Sequence, residues 1–167
     1  MDPLDEIAAA RGHVSRLWRD LAPDEPFLRA AFRLYVAAMH APGGLPRRDR
    51  ELLSFVTSLA NRCAYCAGHH RPHLVREGLP KAWIVALEGG GRLPEPRAEG
   101  LRELAAALAW GAAAPLAESI AEPLARLEAL GLEALEIQQA IQVCAAYGMF
   151  NRLALALGTP REAEPGG

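Results

Sequence analysis

No charge of either sign accumulates in this chain of 167 residues: 18 basic and 20 acidic side chains are interspersed and leave a net charge of −2. Without a basic stripe or an acidic tail, nucleic acid and an anionic membrane surface are not expected partners, and a small molecule or a protein is the default. Lysine is nearly missing. Of the basic residues only Lys81 is one, which with the abundance of Ala, Gly, Pro and Arg reads as the imprint of a GC-rich genome and not as a binding task. Long apolar runs are missing too. Acids and arginines interrupt residues 1–20, and nowhere do ~20 apolar residues follow one another, so neither a secretory leader nor a membrane span is expected. The expected location is the cytoplasm. Cysteine is limited to Cys63, Cys66 and Cys144, and in a reducing compartment two close cysteines point to redox or metal chemistry, not to a disulfide framework. Hydrophobic residues make up 51%, enough to bury a core without covalent staples.

Sustained period-2 alternation rich in β-branched residues is absent, whereas apolar residues recur at spacings of three and four, so the fold class is all-α. The pattern predicts helices over Leu4 to Trp18, Pro26 to Met39 (led by Asp24 and stopped by the turn at 41–44), Pro46 to Ala60, and from about Cys63 or Ala64 to Gly78. Lys81 to Leu87 forms a short turn of helix before the glycines at 89–91, which read as the most flexible internal loop. Pro96 to Trp110 is amphipathic. Pro123 suits the first turn of a short helix ending at Gly131. The last helix runs from Glu133 to Leu157, and its part from Ile137 on is apolar nearly all round, as for a core or a subunit interface. One domain over 1–160 and a flexible tail over 161–167 are expected, with no repeat.

Cys63 and Cys66 bracket the start of the fourth helix, where unpaired N–H groups and the helix dipole favour a thiolate. Sulfurs three residues apart can also close into a disulfide. Taken alone, such a pair is as consistent with metal ligation as with redox work. His70 follows Cys66 by four residues and His73 by seven, all on one helix face, with a rise of about 6 Å between Cys66 and His70. An imidazole there suits proton exchange with the thiol, directly or through one water. His69 lies off this face and is expected at the surface.

Glu51 comes near these residues once the third and fourth helices fold as a hairpin about Arg62. It then lies opposite His73 and roughly one turn from His70, where a carboxylate can orient an imidazole and raise its basicity. The same acid is also favoured in its first turn by the dipole alone. Asn151 and Arg152 sit in the apolar last helix, to contact the site or to satisfy a buried carbonyl. Cys144 reads as a small core residue. Tetrahedral Zn²⁺ on Cys63, Cys66, His70 and His73 is the main alternative. A c-type haem is excluded, because the position it needs as histidine is Ala67.

Glu51, Cys63, Cys66 and His70 together match the signature of alkylhydroperoxidase D-like proteins of the carboxymuconolactone decarboxylase superfamily. The run from Asn61 to His70 resembles its peroxidase-related branch, and the resemblance extends to Tyr147 through Gly158. It implies an all-helical alkylhydroperoxidase D-like fold with the cysteine pair at a helix N-terminus. It further implies a thiol-dependent peroxidase, without cofactor or metal, that reduces organic hydroperoxides at the expense of an unidentified thiol or dithiol. In that scheme Cys66 attacks, Cys63 resolves, and Glu51 and His70 relay the proton. A homo-oligomer is implied as well. The departure is Tyr65, where well-studied members carry a histidine; its hydroxyl can donate a hydrogen bond but is a poor base, so supporting roles fall to Tyr65, His73 and Asn151. A scaffold that senses redox state without turnover is the remaining alternative.

Overall fold

The computed structural model describes residues 2–109 and 115–162, and among them nine helices and no strand. The part of the expected tail at 163–167, and Trp110 at the end of the expected amphipathic helix, lie outside the described residues.

The N-terminus departs from the sequence reading. Instead of one helix over Leu4 to Trp18 there are two, α1 (Pro3–Arg11) and α2 (Arg16–Asp20). Gly12 takes a left-handed conformation (φ 79°) and its N–H donates to the Ala8 carbonyl, a C-cap that turns the chain while the apolar spacing runs on past it. α3 (Glu25–His40) starts where the Asp24 side chain accepts from the Phe27 N–H.

α4 (Arg47–Ala60) is the central element, packed against α3, α5 (Ala64–Arg76), α7 (Pro96–Leu108) and α9 (Ala134–Ala156). Every residue from Asp49 to Ser58 is buried, including six polar ones, and all of these but Thr57, whose hydroxyl has no partner among the described residues, are hydrogen-bonded. Ser54 and Ser58 donate to the carbonyls four residues back, Arg50 and Ser54. The Arg50 guanidinium, 2% exposed, donates to the carbonyls of Ala38, Leu45, Ala41 and Gly43 and to the Gln139 side chain, tying the 41–44 turn to α9. Arg97 of α7 bridges Asp49 and Glu136, joining α4 and α9 at the other side.

Between α4 and α5, Arg62 adopts φ 56°, a left-handed hinge that reverses the chain in one residue. α6 (Lys81–Glu88) leads to α7. α8 (Leu116–Ala129) then begins earlier than expected, directly after Pro115, which leaves Pro123 in the helix interior. The upstream Ala and Glu residues carry enough helical preference to extend the helix by two turns despite the missing N–H. α9 opens with a capping box between Glu133 and Glu136. Its inner face supplies Val143, Cys144, Tyr147, Phe150 and Asn151 to the core, while Leu135 and Leu155 are about half exposed. Among the described residues no helix is long and apolar enough to cross a membrane.

Candidate functional site

Cys63 is the N-cap of α5, and Cys66 lies in its first turn. The turn is held by the Cys63 N–H donating to the Ser58 carbonyl (2.9 Å), and the Cys66 N–H points at the Cys63 sulfur (3.4 Å). The sulfurs are 2.8 Å apart and both are buried. Hydrogen bonding from Cys66 brings Cys63 down to about 7, against burial and with help from the Cys66 and Tyr65 N–H groups and the Asn151 side chain. The same hydrogen bond, with burial and the charge on Cys63, pushes the Cys66 thiol up. The pair therefore releases one proton near neutrality, the charge resting at the helix cap and the remaining proton on Cys66.

Asn151, fully buried on α9, donates to the Ser58 hydroxyl (3.0 Å) and accepts from the Asn61 side chain (2.9 Å). It thereby ties the last helix to the hinge as well as reaching the thiols.

The α4–α5 hairpin brings Glu51 to His70: Nδ1 lies 2.6 Å from Oε2. Burial pushes the Glu51 carboxyl up, but His70, Arg47 and His73 outweigh it and hold the group at about 2. Because a carboxylate only accepts, His70 Nδ1 carries a hydrogen and Nε2 is left as the basic nitrogen. Arg47, one turn before Glu51, donates to its other oxygen. His73 sits farther off, 3.9 Å from Oε1, and burial keeps it neutral at neutral pH, down to about 4. The ring of Tyr147 meets His70 edge-on at 4.5 Å.

Cys66 and His70 both line a cavity of about 30 Å³, with Trp18, Tyr35, Tyr65 and His69 among its walls. That is room for about one water molecule. No hydrogen bond joins His70 to either sulfur among the described residues; the cavity is the space that His70 and Cys66 share. The Trp18 indole N–H, buried in the same wall, has no partner among the described residues.

Several residues sit other than expected. His69 is half-buried rather than fully at the surface: Arg11 bonds its Nε2 (3.0 Å), and burial, followed by the charge of His70, lowers it to about 2. Tyr65 spends its hydroxyl on structure, accepting from the Leu17 N–H and donating to Glu162 (3.1 Å each). Cys144, by contrast, lies in the core as expected, where burial pushes its thiol up to about 12. Among the described residues no group of three or more His, Cys, Asp or Glu is placed to hold a metal ion, so the alternative set of Cys63, Cys66, His70 and His73 is not assembled. Arg47, Trp18 and Tyr147 were not singled out from the sequence. Only Arg47 left a signal there, its spacing of four from Glu51.

Residues 25–94 match the model of the carboxymuconolactone decarboxylase family. No curated protein matches the sequence. Among solved structures, the chain is similar to an alkylhydroperoxidase AhpD core, an uncharacterized peroxidase-related protein from Ralstonia eutropha (22% identity, 95% of this chain and 83% of that one, TM-score 0.80). It is similar to a peroxidase-related protein from Silicibacter sp. (21% identity, 98% and 85% covered, TM-score 0.81). The debrominase Bmp8, solved with 2,3,4-tribromopyrrole, shares the fold at 15% identity (96% and 84% covered, TM-score 0.79). Over nearly its whole length the chain has the AhpD-like fold, and the carboxymuconolactone decarboxylase match lies within it at residues 25–94.

Proposed function

We propose that the protein is a cytoplasmic, homo-oligomeric thiol-dependent peroxidase that reduces organic hydroperoxides through a Cys63/Cys66 dithiol–disulfide cycle, with Glu51 and His70 as proton relay. The observation that carries this reading is the pairing of two sulfurs 2.8 Å apart at a helix cap with a carboxylate-bound imidazole on the same small cavity.

In this reading the hydroperoxyl head enters the aromatic cavity. His70 Nε2 takes the Cys66 proton, and the sulfur attacks one peroxide oxygen. The O–O bond breaks, the proton passes from His70 to the leaving alkoxide to give the alcohol, and Cys66 is left as a sulfenic acid. The Trp18 N–H is a free donor for an oxygen in that space. Cys63, already a thiolate near neutral pH, attacks the Cys66 sulfur and expels hydroxide, which becomes water on protonation. An external thiol or dithiol then restores the pair.

A second reading exchanges the cysteines, since the resting charge lies on Cys63. Single variants separate the two. With Cys66 as nucleophile, Cys66→Ser abolishes peroxide consumption, whereas Cys63→Ser reacts once and stops as a sulfenic acid, trapped with dimedone. The opposite pattern assigns the attack to Cys63. Failure of peroxide to oxidise either sulfur sinks the peroxidase reading.

A further inference from the structure

The two sulfurs border different spaces. Cys66 faces the small aromatic cavity, whereas Cys63 forms part of the wall of a separate cavity of about 460 Å³ that shares no lining residue with it. That size falls within the range of small-molecule sites, roughly 300–1,000 Å³. Phe55, Leu59 and Ala67 give it an apolar side, and three arginines stand around it, Arg62, Arg71 and Arg161. Arg71 is bonded to Glu88 (2.8 Å). Arg62 and Arg161, both exposed, pair with no described residue. Two guanidinium groups with no partner among the described residues thus border the space that reaches Cys63, and none of this is used by the peroxide step.

Resting on the dithiol cycle above, we propose that the thiol which re-reduces the Cys63–Cys66 disulfide enters through this cavity and attacks Cys63, and that it is a small thiol bearing a carboxylate received by Arg62 and Arg161. Guanidinium groups bind carboxylates through paired, charge-assisted hydrogen bonds, and their field also draws in the attacking thiolate. That thiolate bonds to the Cys63 sulfur and breaks the S–S bond, and Cys66 leaves and takes a proton on its His70 side. A second molecule of the thiol attacks the reductant sulfur of the mixed disulfide, releasing the reductant's own disulfide and Cys63 as thiolate. Two thiols supply the two electrons. The α5 cap that holds a thiolate at Cys63 makes it a good leaving group in the last step.

The test starts from oxidised protein, so it does not depend on peroxide chemistry. Its disulfide is reduced with 3-mercaptopropionate or with 3-mercaptopropionamide, each rate being divided by that thiol's rate on a small model disulfide. The wild type should favour the carboxylate about tenfold at low salt, by the size expected of local electrostatic steering. In the double variant Arg62→Gln, Arg161→Gln the ratio should fall to near one, the carboxylate thiol losing far more rate than the amide, which loses only the attraction on its thiolate. Incubating Cys66→Ser with the symmetrical disulfide of 3-mercaptopropionate should trap an adduct on Cys63. A charge preference untouched by the double variant, or an adduct forming only on Cys66 in Cys63→Ser, overturns the proposal. A clear charge preference in a protein that consumes no peroxide would sink the peroxidase reading and leave this one standing.

Discussion

A carboxylate that is 1% exposed keeps its charge only through its partners, and Glu51 has His70, Arg47 and, more distantly, His73. Its folded-state pKa lies below that of an ordinary glutamate, so its stabilising contribution is complete above about 4.5 and is lost as pH falls toward 2. The contribution is of the order of 3 kcal/mol. Glu51→Gln should flatten the decline in stability across that window, read from urea midpoints at successive pH values. In activity, Glu51→Gln and His70→Gln should each slow peroxide consumption, and the double variant should be little worse than His70→Gln alone, because the pair acts as one unit. The thiols have their own signature. Thiolate absorbance should titrate near pH 7 with one equivalent, iodoacetamide should label Cys63 first, and Cys63→Ser should remove that step. Spacing across the hairpin brought Glu51 to this helix face but set it opposite His73, whereas the close contact is with His70, one turn away. The partial burial of His69 was not legible, because it depends on Arg11 reaching over from α1, a contact no local pattern encodes.

At the level of elements, α4 gives the site its rigidity by fixing the turn before it as firmly as the hinge after it. Arg50 and the Leu45 N–H both bond Gln139 Oε1, and Gly44 (φ 64°) lies against that same amide. A Cβ at position 44 would collide with the Gln139 side chain, which its two donors hold in place. Gly44→Ala should therefore cost about 1–3 kcal/mol, from the left-handed backbone and the overpacking together, as a lowered urea midpoint with unchanged slope. Helix type and most boundaries were readable from periodicity and caps, with the exceptions at Gly12 and Pro123. In both places a breaker residue and the surrounding helical pattern pull in opposite directions. A glycine cap ended a helix whose apolar spacing continued, and a proline was absorbed by a helix whose start lay upstream.

Over the whole molecule, large apolar side chains remain on the outside of the last two helices: Leu116 and Leu130 on or just after α8, Leu135 and Leu155 on α9, and Leu157 at its C-cap. Their burial between copies would account for a last helix that is apolar nearly all round, and light scattering at micromolar concentration should give a mass above that of the 18.0 kDa monomer. Replacing Leu135 and Leu155 with Glu should shift that mass downward. The fold by itself leaves the reaction open, since it also carries the debrominase Bmp8, and the chemistry must be argued from the dithiol and its two cavities. One of those cavities has an optical consequence. Trp18, ringed by Phe32, Tyr35 and Phe150, shares a wall with Cys66, and thiolates and disulfides quench an excited indole at short range. Oxidation of the pair should therefore change the emission of Trp18, and the change should vanish in Trp18→Phe. The redox state of the protein would then be visible as fluorescence in real time, without a dye or a coupled assay.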